Sequence, residues 1–157
     1  MSLWRYLQRR YGHVSTERVL SGPGLVNIYE FLRDSGRYKE PRWLTGRMAE
    51  EDKAQMVTEA ANSRKTPIAV AALRMMTAIL GASAGNLALT AMSTGGVYIG
   101  GGIAPKILPH IDTKQFLNAF REKGRFTGFL EKIPVKVILN DRAALLGAAN
   151  CARQATG

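Results

Sequence analysis

The sequence predicts an α/β domain that is predominantly helical and contains a short parallel sheet. Two short apolar runs, at 97–99 and 134–139, have the composition of buried strands. The residues before and between them show helical spacing of apolar side chains, with capping and breaking residues at the expected ends. A helical connection between two strands predicts a right-handed crossover and therefore a parallel pair. At 157 residues, the chain has the length of one domain with a sizeable core.

The beginning of the sequence predicts three helical segments. Residues 4–11 form the end of a helix that Gly12 stops, and residues 13–20 form a short helix with Ser15 as its N-cap. A third helix is predicted from about 25 to 32, because its apolar residues share one face: Leu25, Ile28, Tyr29 and Leu32.

The middle of the sequence predicts an exposed loop and then two helices. Residues 33–46 are polar and rich in turn formers, and a charged helix is predicted from 47 to about 63. Thr66 and Pro67 have the pattern of a cap and a first helical turn. They predict the start of a long helix that continues to about residue 92.

The stretch from 75 to 105 carries no charge, so a membrane span is an alternative to a core helix. Gly81 and Gly85 even have the GxxxG spacing of helix pairs in membranes. However, Ser83, Asn86 and the many Ala and Gly residues keep the hydropathy of this stretch low. We therefore expect a helix that is buried on most sides, and no membrane partner.

The sequence after the first strand predicts further helices around the second strand. A helical segment opens at 104–106, and an amphipathic helix runs from 113 to 123, where Gly124 closes it. Beyond the second strand, Asn140 or Asp141 is expected to cap a final apolar helix.

Composition narrows the classes of function. The net charge of +10 invites a nucleic-acid partner, but the basic residues of 1–47 and 106–142 alternate with Asp and Glu instead of clustering. We expect no nucleic-acid partner, and the charge favours solubility and anionic ligands. The single cysteine, Cys151, excludes internal disulfides and multi-cysteine zinc sites. With no secretory leader visible, the cytoplasm is the expected compartment.

Glycines stand on both sides of the first predicted strand, in the segment GGVYIGGGIAP at 95–105. Gly100, Gly101 and Gly102 would lie at the carboxyl end of that strand, where open α/β sheets bind ligands. Main-chain N–H groups without a neighbouring Cβ can contact a nucleotide there. A tight turn with close helix packing is the alternative. The pattern is neither a Walker A motif nor GxGxxG.

Glu17 is a second candidate, since a rigidly held carboxylate can accept hydrogen bonds from two hydroxyls of a sugar. The alternative is a structural role, because the helix dipole favours a carboxylate in a first turn. His13, four residues earlier, can lie beside Glu17 or be structural. With His13 and His110 as the only histidines, the sequence offers no Ser–His–Asp set and no metal-ligand cluster. Asp141 is better explained as a helix cap than as a catalytic base.

Four segments closely resemble the C-terminal part of bacterial glucokinases, which are ATP-dependent enzymes of the hexokinase/actin-like ATPase superfamily. The segments are GHVSTERVLSGPGLVNIYEFL (12–32), GNLALTAMSTGGVYIGGGIAPKIL (85–108), FREKGRF (120–126) and IPVKVILNDRAALLGAA (133–149). The resemblance covers nearly the whole chain, 1–157. It implies the C-terminal part of a ribonuclease-H-like (actin-like ATPase) domain. It also implies a sugar-site segment at 13–32, a helical segment at 47–94, and an adenosine-side segment of strands and helices at 95–150.

The resemblance implies roles for individual residues. Glu17 matches the family glutamate that hydrogen-bonds the hydroxyls of the sugar, and His13 matches a histidine next to it. The residues Gly100, Gly101, Gly102 and Ile103 match the adenosine-binding motif. The catalytic Asp, the phosphate loops and a Glu–Gly–Gly–His block of the family have no match in these 157 residues, so no catalytic residue is assigned. ATP with Mg²⁺ would be bound mainly by those other parts.

The implied activity is the phosphorylation of glucose to glucose 6-phosphate with ATP. This chain would supply one sugar contact and the adenosine side, and it would be inactive alone. A homodimer is expected, because a sheet edge and apolar helix faces would otherwise be uncovered. A regulatory protein that binds sugar or nucleotide on the same scaffold is an alternative. The single cysteine argues against it, because related repressors carry a cysteine-rich zinc motif. A third alternative is a protein that binds nucleic acid or a membrane surface through its charge.

Overall fold

The computed structural model describes residues 1–63, 66–102, 105, 108, 112–140 and 142–155. The helices are α1 (Leu3–Tyr11), α2 (Gly22–Asp34), α3 (Arg42–Glu50), α4 (Lys53–Asn62), α5 (Pro67–Thr90), α6 (Thr113–Arg121), α7 (Thr127–Leu130) and α8 (Ala143–Ala155). Short 3₁₀ turns occur at Thr16–Arg18 and Gly124–Phe126. Strands β1 (Val97–Ile99) and β2 (Val135–Val137) pair in parallel, with Val97 opposite Val135. The predicted helical α/β class with a short parallel sheet is confirmed.

The helix ends near the N-terminus follow the sequence signals. Gly12 stops α1 at a φ of +72°, and its N–H donates to the carbonyl of Gln8 at 2.8 Å. The predicted helix at 13–20 is shorter than expected, since only a single 3₁₀ turn forms there, and the side chain of Ser15 makes no capping hydrogen bond. α2 begins as the sequence suggests, because the Ser21 hydroxyl accepts the N–H of Gly24 at 2.9 Å.

The prediction of one charged helix at 47–63 is wrong, because two helices occupy this region. α3 starts at Arg42, inside the predicted loop. α3 ends at Glu50, and Asp52 caps the next helix. Its carboxylate accepts the N–H groups of Ala54 and Gln55 at 2.8 and 3.1 Å at the start of α4. A capping Asp in the middle of a charged run is the signal that periodicity alone does not register.

A first core lies between α2, α3, α4 and the first half of α5, and we call it the helical core. The predicted apolar face of α2 is buried there, as expected. Its other large buried side chains come from all the surrounding helices: Leu44, Met48, Met56, Val57, Ile68, Leu73 and Met76. This core is filled mainly by long aliphatic side chains.

A second core, the sheet-side core, lies between the second half of α5, α6 and the strands. It is formed by Ala84, Ala88, Phe116, Phe120, Leu130 and Ile133, with Val97, Ile99 and Val135 packed against it. Each strand buries only this face. Tyr98 and Lys136 lie on the open face, with the Lys136 ammonium 5.8 Å from the centre of the Tyr98 ring. The expectation of fully buried strands is therefore wrong, since the sheet has a covered side and an open side.

The glycine pair of α5 is explained by packing within the protein. A Cβ at Gly81 would lie 2.4 Å from the carbonyl oxygen of Phe116, and one at Gly85 would lie 2.3 Å from that of Phe120. Small residues here let the backbone of α6 approach α5 closely. By length and composition α5 could cross a membrane, and 44% of its most apolar window is buried inside the protein.

The final helix forms as predicted but packs differently from the others. The Asn140 side chain accepts the N–H of Arg142 at 2.9 Å just before α8 begins. None of the residues of α8 is buried, and Leu145 and Leu146 are 70% and 58% exposed. Of the other predicted features, Asp141 and most of the helical segment predicted at 104–106 lie outside the described residues.

Candidate functional site

The turn that carries Glu17 is fixed through its main chain. The Ser21 hydroxyl donates to the main-chain oxygen of Glu17 at 2.6 Å while it caps α2. The first turn of α2 also lies directly against the next residues of the turn. A Cβ at Gly24 would lie 2.7 Å from the carbonyl carbon of Val19, so only glycine allows this approach. The segment STERVLSGPG (15–24) is thus held against the first turn of α2 by these contacts.

Asn27 extends this support from inside the protein. It is 4% exposed, its amide donates to the carbonyl of Arg18 at 2.9 Å, and its oxygen accepts the Tyr11 hydroxyl at 2.8 Å. The Arg18 guanidinium lies 4.0 Å from the centre of the Tyr11 ring. A buried amide with both ends paired fixes the turn relative to α1 and α2. Sequence analysis missed Asn27. Its signal is a polar residue within the apolar stretch of α2.

The side chains of Glu17 and His13 are exposed on this fixed segment. The Glu17 carboxylate has no hydrogen-bond or ion-pair partner among the described residues. Both of its oxygens are therefore free to accept hydroxyl donors. The His13 N–H donates to the carbonyl of Tyr11 at 2.9 Å, so its backbone is anchored beside α1. The segment combines a fixed main chain with accessible polar side chains.

The glycine run lies where the sequence places it, at the carboxyl end of β1. The Ile138 N–H donates to the carbonyl of Ile99 at 2.9 Å and extends the parallel ladder by one residue. Gly100 follows, and a Cβ there would meet the Ile138 side chain at 3.4 Å. Gly101 has a φ of +100°, which favours glycine, and a Cβ at Gly101 or Gly102 would meet no described atom within 4 Å. Open main chain follows the strand, and Ile103 lies outside the described residues.

Both strands end at this edge, because they run in parallel. Asn140, Arg142 and the start of α8 follow β2 along the chain beyond this edge. Arg142 is exposed, and no ion pair involves it in the described part of the chain. Main-chain N–H groups, a helix start and a cation suit a phosphorylated ligand. Sequence analysis did not single out Arg142, although a cation directly after a strand was visible.

Other features of the described residues do not add to these two regions. No group of three or more His, Cys, Asp or Glu residues there could hold a metal ion. A groove of about 850 Å³ is lined by Tyr38, Arg74 and Met75, away from the glycines. A cleft of about 570 Å³ between α2 and α4 includes Ser21 in its lining, so it begins close to the Glu17 turn.

Comparison with known proteins gives one consistent family. The Glucokinase family model matches residues 1–155. The glucokinase of Synechocystis sp. is 39% identical over 165 residues, which cover 97% of this chain and 46% of that protein. The glucokinase of Klebsiella pneumoniae subsp. pneumoniae is 41% identical over 151 residues, which cover 96% of this chain and 44% of that protein.

This chain is also similar to the solved structure of a glucokinase. The crystal structure of a glucokinase from an Antarctic psychrotroph superposes with a TM-score of 0.80 at 29% identity. The match covers 97% of this chain and 44% of that one. The chain therefore spans less than half the length of the curated relatives and of the solved structure that it matches.

Proposed function

The chain belongs to the glucokinase family, and from this premise we propose that it supplies the C-terminal portion of an enzyme that phosphorylates glucose to glucose 6-phosphate with ATP. The observation that carries the proposal is the family match over residues 1–155. The two candidate regions of the structure support it. One offers an accessible carboxylate on a fixed turn, and the other offers open main chain at the carboxyl edge of a parallel sheet.

On the sugar side, we assign hexose binding to Glu17, with His13 beside it. A carboxylate with two free oxygens can accept hydrogen bonds from two hydroxyl groups. The supports from Ser21 and Asn27 hold the main chain of the turn before the sugar arrives. Holding the reacting hydroxyl in place is a large part of what a kinase contributes, because phosphoryl transfer depends mainly on positioning and charge.

On the nucleotide side, we assign adenosine contacts to Gly100, Gly101 and Gly102, and to Ile103 beyond the described residues. The absence of a Cβ, the φ of +100° at Gly101 and the open space around Gly102 fit close approach by a planar or phosphorylated group. Mg²⁺-bound ATP supplies the transferred phosphoryl group and neutralises part of its charge. We propose that other parts of the enzyme hold the metal and the phosphates.

The finer architecture is also a proposal. The parallel pair with helices between its strands is compatible with the edge of a ribonuclease-H-like (actin-like ATPase) sheet, and the TM-score of 0.80 with a glucokinase supports that assignment. We propose a cytoplasmic enzyme that forms a homodimer.

We further propose that these 157 residues do not phosphorylate glucose by themselves, because a base for the attacking hydroxyl and loops for the phosphates are required. The test is a coupled assay of glucose 6-phosphate formation. The purified chain should show no turnover above background. Co-expression with the portion of Synechocystis glucokinase that lies outside the matched region should restore it. Turnover by the chain alone at the level of a whole glucokinase would contradict the proposal.

The sugar assignment is tested in the reconstituted enzyme with Glu17→Gln. Loss of one carboxylate acceptor should lower kcat/KM for glucose by roughly tenfold or more, because hydrogen bonds to charged groups contribute about 1.5–3 kcal/mol. The matched control is Glu122→Gln, which changes an exposed carboxylate directly after α6 and should leave kcat/KM unchanged. Equal activity of both variants would remove Glu17 from the site.

A further inference from the structure

The groove of about 850 Å³ runs along one face of α5, and we call it the α5 groove. No residue of the Glu17 turn or of the glycine run lines it. Its floor is a stripe of α5 residues spaced by three and four positions, a spacing that places them on one helix face. They are Pro67, Val70, Ala71, Arg74, Met75 and Ala78. With a rise of about 1.5 Å per residue, the stripe is about 16 Å long.

This stripe is apolar although it faces outward. The inner face of α5 is buried in the helical core, and Val70, Ala71 and Met75 on the stripe are half-buried. Arg74 is the one charged residue in the sequence of α5. A helix at the surface of a protein normally presents polar residues on the face away from the core. The outer face of α5 therefore differs from an ordinary solvated helix face.

The loop after α2 forms the other wall of the α5 groove. Gly36 has a φ of +72°, and its N–H donates to the carbonyl of Arg33 at 3.0 Å. The N–H of Arg37 donates to the Ser35 hydroxyl oxygen at 3.4 Å. This hydrogen-bonded turn brings the side chains of Arg37 and Tyr38 to the groove.

The charged groups of the α5 groove are cations without partners. Arg37 and Arg74 are exposed, and neither forms an ion pair within the described part of the chain. By contrast, Arg10 and Arg47 are paired with carboxylates. Among the described residues, no Asp or Glu lines the groove. Guanidinium groups bind phosphate and carboxylate groups with paired hydrogen bonds, so an anion is the complementary ligand.

The dimensions of the α5 groove favour a small molecule over a folded protein. Sites for small molecules usually enclose about 300–1,000 Å³ and combine apolar walls with a few polar groups. The α5 groove, at about 850 Å³, lies in that range. Stable protein interfaces involve about 20–30 residues on each side, which is more than line this groove. An elongated ligand with one anionic end fits both the shape and the charge.

We propose that the α5 groove binds a soluble amphiphile with a phosphate or carboxylate head. Arg37 and Arg74 bind the head, and the apolar tail lies along the α5 stripe. A second copy of this chain seated in the groove would bring the same cations together, which is unfavourable. The proposal goes beyond the proposed function and does not depend on it, since it involves neither candidate region.

The test is a titration of the full 157-residue chain with decyl phosphate below its micelle concentration, followed by amide chemical shifts in NMR. Binding should saturate, and the shifts should be confined to residues 37–38 and 70–78. Inorganic phosphate lacks the tail, and decyltrimethylammonium has the opposite charge. Each should bind at least roughly tenfold more weakly, because each lacks one of the two complementary contacts.

The head contact is tested with the double variant R37Q/R74Q, which should bind decyl phosphate at least roughly tenfold more weakly. The matched control is R5Q/R42Q. It removes the same charge at two exposed arginines that form no ion pair in the described residues and do not line the groove. This control should bind as the unsubstituted chain does. Equal weakening in both double variants would reduce the effect to net charge and overturn the proposal.

Other occupants of the α5 groove give different results. Unchanged affinity in R37Q/R74Q would show unspecific partitioning of the tail. Retention on phosphatidylglycerol vesicles without saturable binding of free decyl phosphate would assign the groove to a membrane surface. Loss of decyl phosphate binding on assembly with the unmatched portion of Synechocystis glucokinase would show that this portion covers the groove. Each of these three results would overturn the proposal.

Discussion

The helical core and the sheet-side core are built differently, although α5 runs through both. The helical core is surrounded on several sides by helices, and its side chains Ile28, Tyr29 and Ile68 are fully buried. The sheet-side core depends on Phe116 and Phe120 against small residues, and one face of its sheet is open. The side chains of the helical core are covered within this chain, whereas the sheet beside the second core leaves Tyr98 and Lys136 exposed. The glycine run follows β1 at the carboxyl end of this sheet.

The ion pairs follow the same division. Arg47 bridges Glu51 and Glu59 at 2.8 and 2.9 Å and so connects α3 with α4, and Arg10 pairs with Glu30 between α1 and α2. No ion pair is found around the sheet-side core within the described residues. Exposed pairs contribute little each, but here they join helices that already pack together.

The largest effect should come from truncating a core side chain on each side. Phe120→Ala and Ile28→Ala both remove fully buried side chains, at a cost of about 3–5 and 2–5 kcal/mol of unfolding free energy. We expect Phe120→Ala to release α6 and the strands while the amides of α2 and α4 stay protected from hydrogen exchange. Ile28→Ala should reduce the protection of amides from hydrogen exchange in both regions. Loss of α2 and α4 protection in Phe120→Ala would show that the two cores unfold as one unit.

A smaller effect is expected where α5 and α6 touch. Gly81→Ala places a methyl group 2.4 Å from the Phe116 carbonyl, so the helices must move apart, at a cost of about 1–3 kcal/mol. The matched control is Gly46→Ala in α3, where a Cβ meets nothing within 4 Å and alanine should stabilise by about 0.5–1 kcal/mol. Chemical denaturation measures both. A stabilising Gly81→Ala would contradict the close packing.

The smallest effect concerns how the stability of the helical core, against which Tyr6 packs, depends on pH. Burial and the hydrogen bond that its hydroxyl donates to Asp34 raise the pKa of Tyr6 to about 12, against an unfolded value near 10. The neutral phenol is the favoured form in the folded state. Its contribution to stability is therefore complete below pH 10 and is lost as the pH rises from 10 to 12. Tyr6→Phe should show a flatter decline of Tm over that range, and equal slopes would exclude the effect.

Individual elements show how much of the fold could be predicted from the sequence. The α2 face, the stop at Gly12 and the strand at Val97–Ile99 could be predicted, because each depends on local periodicity or on one residue's backbone preference. The division of 47–63 into α3 and α4 was missed, because Asp52 breaks a run whose apolar spacing stays helical on both sides. The short α7 was also missed, since four residues carry no periodic signal.

Some residues of the candidate site could also be predicted from the sequence, and others could not. Glu17 and the glycine run were visible in the sequence, because a carboxylate in a first helical turn and a run of glycines after a strand are both local signals. Their roles stay predictions. Asn27, which supports the Glu17 turn, was not visible, because its value comes from Tyr11 and Arg18, residues that lie 16 and 9 positions away along the chain.

By itself, the sequence determined the class of fold, the parallel pair and the positions of the glycines, since these follow from side-chain spacing and backbone freedom within a few residues. The tertiary structure decided which surfaces are covered. It placed Gly81 and Gly85 against α6, left one face of the sheet open and left the described residues of α8 without a buried side chain. Burial is a property of packed elements, and the same type of side chain is buried or exposed according to what lies opposite it.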